Sequence, residues 1–305
     1  MRIAINDISR FLGNALINVY GDFEGVYVDN LADPENVNEY TLDWVNCNKD
    51  NKQEITESSI AQCILVDNTV EYSDTLREKH KILLVVKNPR KEVARIANCF
   101  FVEKEEPGIH PSAVISKFAE INPHAHIGAG CIIGKAKIGA GTVLMPNVVI
   151  YDNVTIGDNC IIQAGVVIGT DGLGCTRDEE GILTKFPHLG GVVIGNDVEI
   201  GANSQIAKGS LSNTIIENGC KMNGLCFIAH NCHLEKNVWI TGNTMLCGSV
   251  HVGRNTTIFS SVIIRDQRLI GANVTIGMGS VVTKDVPDCE TWVGNPAKKM
   301  ETHLK

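Results

Sequence analysis

The stretch IENGCKMNGLCFIAHNCHLEKNVWITGNTMLCGSVHVGRNTTIFSSVIIRDQRLIGANVTIGMGSVV, residues 216–282, decides the fold. Counted by sixes from Ile216, it presents Met222, Ile228, Leu234, Ile240, Leu246, Val252, Ile258, Ile264, Ile270, Ile276 and Val282 without a failure. A period of six is neither helical nor the simple alternation of one strand. It fits short strands joined by tight corners, one strand per hexapeptide and three to a coil. Each inward aliphatic then stacks on its counterpart one coil away, at about 4.8 Å, the spacing of neighbouring strands. That pattern predicts a mainly β chain built as a hexapeptide-repeat solenoid, a parallel β-helix. A β-sandwich would show turn signals at looser intervals and no fixed period.

The same count runs through Ile109, Ile115, Ile121, Ile127 and Ile133, then from Ile138 to Ile168, and again through Ile194, Ile200 and Ile206. Two insertions break it. GTDGLGCTRDEEGILTKFPHLGG, residues 169–191, has no period, and loops of that length in compact proteins are usually functional. KGSLSN, residues 208–213, shifts the count by four. Residues 1–107 lack the repeat. CILV (63–66) and LLVV (83–86) read as buried strands, and Asn88 with Pro89 opens a helix whose apolar side is Val93, Ile96, Ala97 and Phe100. The expected organisation is a small α/β domain over 1–107, joined through EKEEPG to a solenoid over 108–285, with a C-terminal extension over 286–305.

Composition narrows the function classes. Of 305 residues, 44% are hydrophobic and 5% aromatic, with 29 glycines, as suits thin layers of small and β-branched side chains. The formal charge of −8 argues against general nucleic-acid binding. MRIAINDISRF has no signal-peptide character, and no apolar run approaches the roughly 18–20 residues of a membrane span. The 11 cysteines form no CxxC pair, which suits a reducing cytoplasm and small buried apolar roles.

FIAHNCHL, residues 227–234, places two histidines inside a packing ladder. His230 lies outside the aliphatic stack, and alternation turns His233 to another face, so convergence on a metal is not expected. His230 reads as a surface histidine or as a base. The second reading draws on Gly248, one coil further on, which leaves room for a ligand and offers a backbone N–H. A base beside such a donor is what acyl transfer needs: one takes the proton of an attacking amine or hydroxyl, the other meets the oxyanion. No acid follows His230 to orient its ring.

With these residues on view, the chain resembles the UDP-3-O-acylglucosamine N-acyltransferases of lipid A biosynthesis over roughly residues 1–265. The shared features are VVKNPR (85–90), GTDGLG, VVIGNDVEIGA (192–202), KGSLSNTII (208–216), IAHN (228–231) and the GS of 248–249. The resemblance implies a left-handed helix, a homotrimer, His230 as general base and Gly248 in the oxyanion hole. It also implies that the first domain binds a nucleobase near TLDWVNCNK, with Trp44 as stacker and Asn46 as polar contact; Trp44 equally fits a core role. Asp171, His188 and Asn231 are assigned with the substrate.

The departures matter. Gln267 stands near a second histidine of that family, and His188 where it carries glutamine. The ending VGNPAKK resembles CoA-dependent hexapeptide transferases, with Asn295, Lys298 and Lys299 along CoA, or else forms a solvated tail. The expectation is a cytoplasmic homotrimer without a membrane span, a permanently bound cofactor or a metal. It would transfer an acyl group from acyl-CoA to the amine of a dTDP- or UDP-linked amino sugar, first choice a dTDP-4-amino-4,6-dideoxyhexose for surface polysaccharide. The alternatives are the lipid A transferase using acyl carrier protein, and a non-catalytic binding solenoid.

Overall fold

A computed structural model describes residues 2–300; the last five residues of the expected C-terminal extension lie outside the described residues. The chain divides into two compact units, Met1–Lys104 and Glu105–Lys305.

The first unit is a four-stranded sheet in the order Leu16–Tyr20, Ile82–Val86, Cys63–Val66, Leu42–Trp44. The last three strands are parallel and the first is antiparallel. Cys63–Val66 and Ile82–Val86 are buried at every position because both faces of the sheet are covered. Alternate side chains serve two cores: Cys63, Leu65, Ile82, Leu84 and Val86 face one, and Ile64, Val66, Leu83 and Val85 the other. The helix Pro89–Ile96 starts as its sequence requires. Asn88 accepts from the Lys91 N–H at 3.1 Å, and Pro89 occupies the first turn, where a missing N–H costs nothing. The chain continues from it as a wider π turn over Ala97–Phe101.

The second unit is the solenoid. Among the described residues, its strands stack into three sheets of eleven, nine and eight strands, parallel throughout except for the final hairpin. The ladder residues line the interior: Ile228, Leu234, Ile240, Leu246, Val252, Ile258, Ile264, Ile270, Ile276 and Val282 are all fully buried. Each such side chain contributes roughly 1.5–3 kcal/mol by leaving water. Corners fall at the same period. Asn231, Asn237, Asn243, Ser249, Asn255, Ser261, Gln267 and Asn273 all have φ between 55° and 61°, the left-handed region that asparagine tolerates best after glycine.

Five of the cysteines, Cys131, Cys160, Cys220, Cys226 and Cys232, lie two residues before the ladder, where the chain leaves a corner. There a buried thiol or hydroxyl donates to a carbonyl on the next coil: Cys220 to Glu235 O at 3.1 Å, Cys232 to Cys247 O at 3.2 Å, and Thr256 to Gly271 O at 2.8 Å. Burial pushes the Cys232 thiol up to about 12, so it stays protonated. Such a position requires a small side chain that can satisfy one carbonyl.

The ladder register resumes across both insertions, with one irregularity between Ile168 and Thr170 where the long one begins. Phe227 pairs with Met245 in the ordinary register. Val154 pairs with Val192 across the long loop, and Gln205 with Phe227 across the short one. At the C-terminal end, Thr291–Val293 adds in parallel to Thr275–Ile276 and folds back as Lys298–Lys299. Trp292 packs on the solenoid core and Ala297 is buried within it. The expected extension, through residue 300, is thus the cap that covers the last open coil.

Candidate active site

His230 sits at the corner that follows the strand Phe227–Ile228. The strand register aligns it with Lys208 on one adjoining coil and Gly248 on the other. The next residue, Asn231, turns the corner at φ 60° and directs its amide inward. Its Oδ1 accepts from the Ser210 N–H at 3.1 Å and the Ser210 hydroxyl at 2.9 Å, while its Nδ2 donates to the Ser212 hydroxyl at 2.9 Å. A backbone donor therefore fixes which end of the amide is oxygen. That same oxygen lies 3.0 Å from His230 Nδ1, so Nδ1 carries the proton and donates. Nε2 is left with its lone pair, the form a general base requires. Asn231, expected beside the substrate, holds the ring of His230, and the KGSLSN insertion supplies the hydroxyls that hold Asn231 in turn.

Gly248 is pressed against this ring. A Cβ built on it would lie 2.6 Å from both Cε1 and Nε2 of His230, so any side chain there would push the ring aside. Its carbonyl accepts from the Gln267 N–H at 2.9 Å. Its own N–H has no hydrogen-bond partner among the described residues. An unspent backbone donor thus lies beside the Nε2 edge of the ring. Gln267 itself turns a corner at φ 59°.

The long loop closes over the other side of the imidazole. Its hairpin, Cys175–Arg177 with Leu183–Lys185, returns the chain so that His188 meets His230 edge to face, with ring centroids 5.3 Å apart and planes at 72°. His188 is 5% exposed. Its Nδ1 donates to Phe186 O at 3.2 Å, and its Nε2 is buried without a partner. Burial, and next the neighbouring His230, lower its pKa, so the ring is neutral. Gly172 touches both rings: a Cβ there would fall 2.6 Å from His188 Nε2 and 2.9 Å from His230 Cδ2. Asp171 bridges Lys185 at 2.6 Å and Lys208 at 2.9 Å, and these bonds hold its carboxyl down at about 2. One carboxylate against two lysines leaves a net positive charge next to the histidines.

The structure thus brings together His230, Gly248, Asn231, His188 and Asp171. The remaining expected residues lie elsewhere. Trp44 and Asn46 are at the carboxyl end of an edge strand in the first unit. Trp44 is half-buried and packs on that unit's core. Asn46 caps the following turn by accepting from the Asn48 N–H at 3.1 Å. Asn295, Lys298 and Lys299 belong to the terminal hairpin. Lys299 is paired with Glu290 at 2.6 Å, and Lys298 is exposed with no ion pair among the described residues. His233 faces a different sheet, with Nε2 2.9 Å from Glu217 and its ring 4.7 Å from His251. Gly172 and Lys208 went unmarked in sequence; the one usable signal was that Lys208 opens the insertion that precedes His230.

Residues 135–170 match the bacterial transferase hexapeptide (six repeats) family. The chain is 32% identical over 239 residues to the UDP-3-O-acylglucosamine N-acyltransferase of Bordetella parapertussis, covering 70% of this chain and 66% of that protein. It is 38% identical over 219 residues to the enzyme of that name from Coxiella burnetii, covering 65% and 64%. The matches therefore span just under two thirds of these relatives' own lengths. Among solved structures, UDP-N-acetylglucosamine O-acyltransferase from Moraxella catarrhalis superposes with a TM-score of 0.57 at 28% identity, covering 63% of this chain and 73% of that one. UDP-N-acetylglucosamine acyltransferase from Campylobacter jejuni gives 0.55 at 27%, covering 64% and 74%. The solenoid is a left-handed parallel β-helix, as the repeat and the resemblance had implied. By its repeat, its fold and these relatives, the chain is similar to the hexapeptide-repeat acyltransferases.

Proposed function

We propose that this chain transfers an acyl group from a thioester donor to the amine of a nucleotide-linked amino sugar. The observation that carries the reading is His230, with Nδ1–H tied to Asn231 and Nε2 bare beside the free N–H of Gly248. In the reaction, the amine nitrogen attacks the thioester carbonyl as His230 Nε2 takes its proton. The Gly248 N–H meets the developing oxyanion. The intermediate then collapses, and the proton on His230 passes to the departing sulfur to give a free thiol. A buried donor at the oxyanion is worth more than in water because nothing needs to reorganise.

The curated relatives' names support a nucleotide sugar with an amine acceptor. The first unit supports the nucleotide. Trp44 and Asn46 stand at the carboxyl end of a parallel strand, where open α/β sheets receive ligands. Acyl-CoA is the donor in this reading, with exposed Lys298 available to its phosphates, and a dTDP-4-amino-4,6-dideoxyhexose is the preferred acceptor. The working unit in this reading is a homotrimer: Val114 and Ile132 at one end of the nine-stranded sheet, and Met245 and Ile263 at the other, are exposed apolar positions on the sheet that leads to His230. Exposed apolar surface of that kind marks interfaces. No helix among the described residues is long and apolar enough to cross a membrane.

A second reading follows from the same relatives: the chain acylates UDP-3-O-acylglucosamine from acyl carrier protein. Turnover assays with dTDP- and UDP-linked amino sugars, each offered acyl-CoA or acyl carrier protein, separate the two. CoA-dependent acylation of a deoxyamino sugar is the expected result. Exclusive use of acyl carrier protein installs the second reading, and no transfer with any pair removes both.

A further inference from the structure

We propose that His188 selects an amine over a hydroxyl at the acceptor position, by accepting one hydrogen bond from the attacking group while His230 accepts another. This rests on the acyl-transfer reading above and adds to it a residue that discriminates the acceptor class.

Among the described residues, His188 Nε2 is the buried side-chain polar atom left without a partner. Its ring is 5% exposed, and the bond from Nδ1 to Phe186 O fixes Nε2 as the lone-pair side. Native structures rarely keep a buried acceptor unpaired, and an exception calls for a role. The atom is well placed for one. It and the Cδ2 edge of His230 converge on Gly172, packed so closely that a Cβ there would stand 2.6 and 2.9 Å from them. The groups that face His188 are His230, Asp171 and Lys185, and the ring stays neutral among them, so Nε2 acts as acceptor and not as donor.

Counting hydrogens then separates the two acceptor classes. An amine in the site has at least two N–H bonds, one for His230 Nε2 and one for His188 Nε2. A hydroxyl has one O–H. If that O–H goes to the base, His188 remains unpaired, and a site whose buried polar groups are left unpaired rejects the ligand strongly. For the amine to reach Nε2 the Gly172 peptide must shift, and its neighbour Leu173 is exposed.

The test uses the whole chain with acetyl-CoA as donor, and with dTDP-4-amino-4,6-dideoxyglucose and its 4-hydroxy counterpart as acceptors. The wild type should prefer the amine. His188→Leu should lower kcat/KM for the amine by about 10- to 100-fold, the scale of one lost hydrogen bond, and change that for the hydroxyl less than threefold. His188→Gln, whose Oε1 can accept, should keep most of the preference. His188→Phe repeats the test if the leucine variant does not fold, as judged by thermal unfolding. An unchanged amine-to-hydroxyl ratio in variants of an active wild type overturns the role of His188 alone. Wild-type acylation of the hydroxyl but not the amine overturns both this inference and the N-acyl reading.

Discussion

Position 231 shows how much one side chain can decide. With alanine there, His230 Nδ1 would lose the acceptor that fixes its tautomer. Asparagine, locked by the Ser210 N–H, accepts from Nδ1, so in the neutral ring Nε2 keeps the lone pair. Removing the imidazole should therefore remove the chemistry and little else. His230→Ala is expected to lower kcat by about 10²–10⁴-fold, the range of a positioned base, with the melting temperature nearly unchanged. Activity within threefold of wild type would take His230 out of the mechanism. Gly248→Ala should act as severely for a different reason. Its methyl would sit 2.6 Å from Nε2 and push the ring off its site without touching the aliphatic ladder. A kinetic loss comparable to that of His230→Ala, with an unaltered circular dichroism spectrum, is the expected outcome; near-normal turnover would mean that the ring is free to move and is not held there.

Among the elements, the hairpin of residues 171–190 is the one that makes the site more than a corner of the solenoid. Backbone bonds from Leu189 and Gly190 to Ser210 and Gly209 anchor its end, and Asp171 adds an electrostatic hold, on Lys185 within the hairpin and on Lys208 of the solenoid. Because these bonds hold the folded carboxyl at about 2, below its ordinary value of 3.8, their contribution is fully present above the ordinary value. It fades as pH falls through the folded one. The carboxylate is 42% exposed, so salt should also weaken the hold. Cleavage by pepsin within 171–190 should therefore stay slow at pH 4, rise towards pH 2, and rise earlier in high salt. Cleavage that is fast at pH 4, or indifferent to salt, would show that packing and not this bridge secures the hairpin. The terminal hairpin teaches a related lesson. Trp292 and Ala297 seal the last coil, so truncation would damage the solenoid itself. A point change at exposed Lys298 is the cleaner probe of donor binding.

For the whole molecule, two surfaces await partners. The exposed apolar pair Met245 and Ile263 predicts that the chain is a trimer in solution and that Met245→Asp with Ile263→Asp yields single chains. Light scattering decides between these masses; a monomeric wild type would end the trimer proposal. In the first unit, stacking of a base on an aromatic side chain contributes roughly 1–3 kcal/mol. Trp44→Ala should accordingly weaken dTDP or UDP binding by about 5- to 150-fold and leave acyl-CoA binding unaltered. Calorimetry on the variant measures both. Unchanged nucleotide affinity in a folded variant would assign Trp44 to the core cluster it already touches.

What could be read in advance was whatever the backbone repeats. The period of six determined the coils, the buried ladder and, by one further turn, the contact between Gly248 and His230. Hydrogen bonding between parallel strands carries that register across both insertions. The helix at Asn88–Pro89 was legible for the same kind of reason, because capping is local. The partner of the imidazole was not. The orienting amide is the adjacent residue, but whether it turns outward to a ligand or inward to Ser210 depends on how an aperiodic insertion packs. His188 and Gly172 reach His230 only because a loop without a repeat folds back over the coil, and the approach of two segments far apart in the chain is set by their packing and charges, which no local spacing encodes.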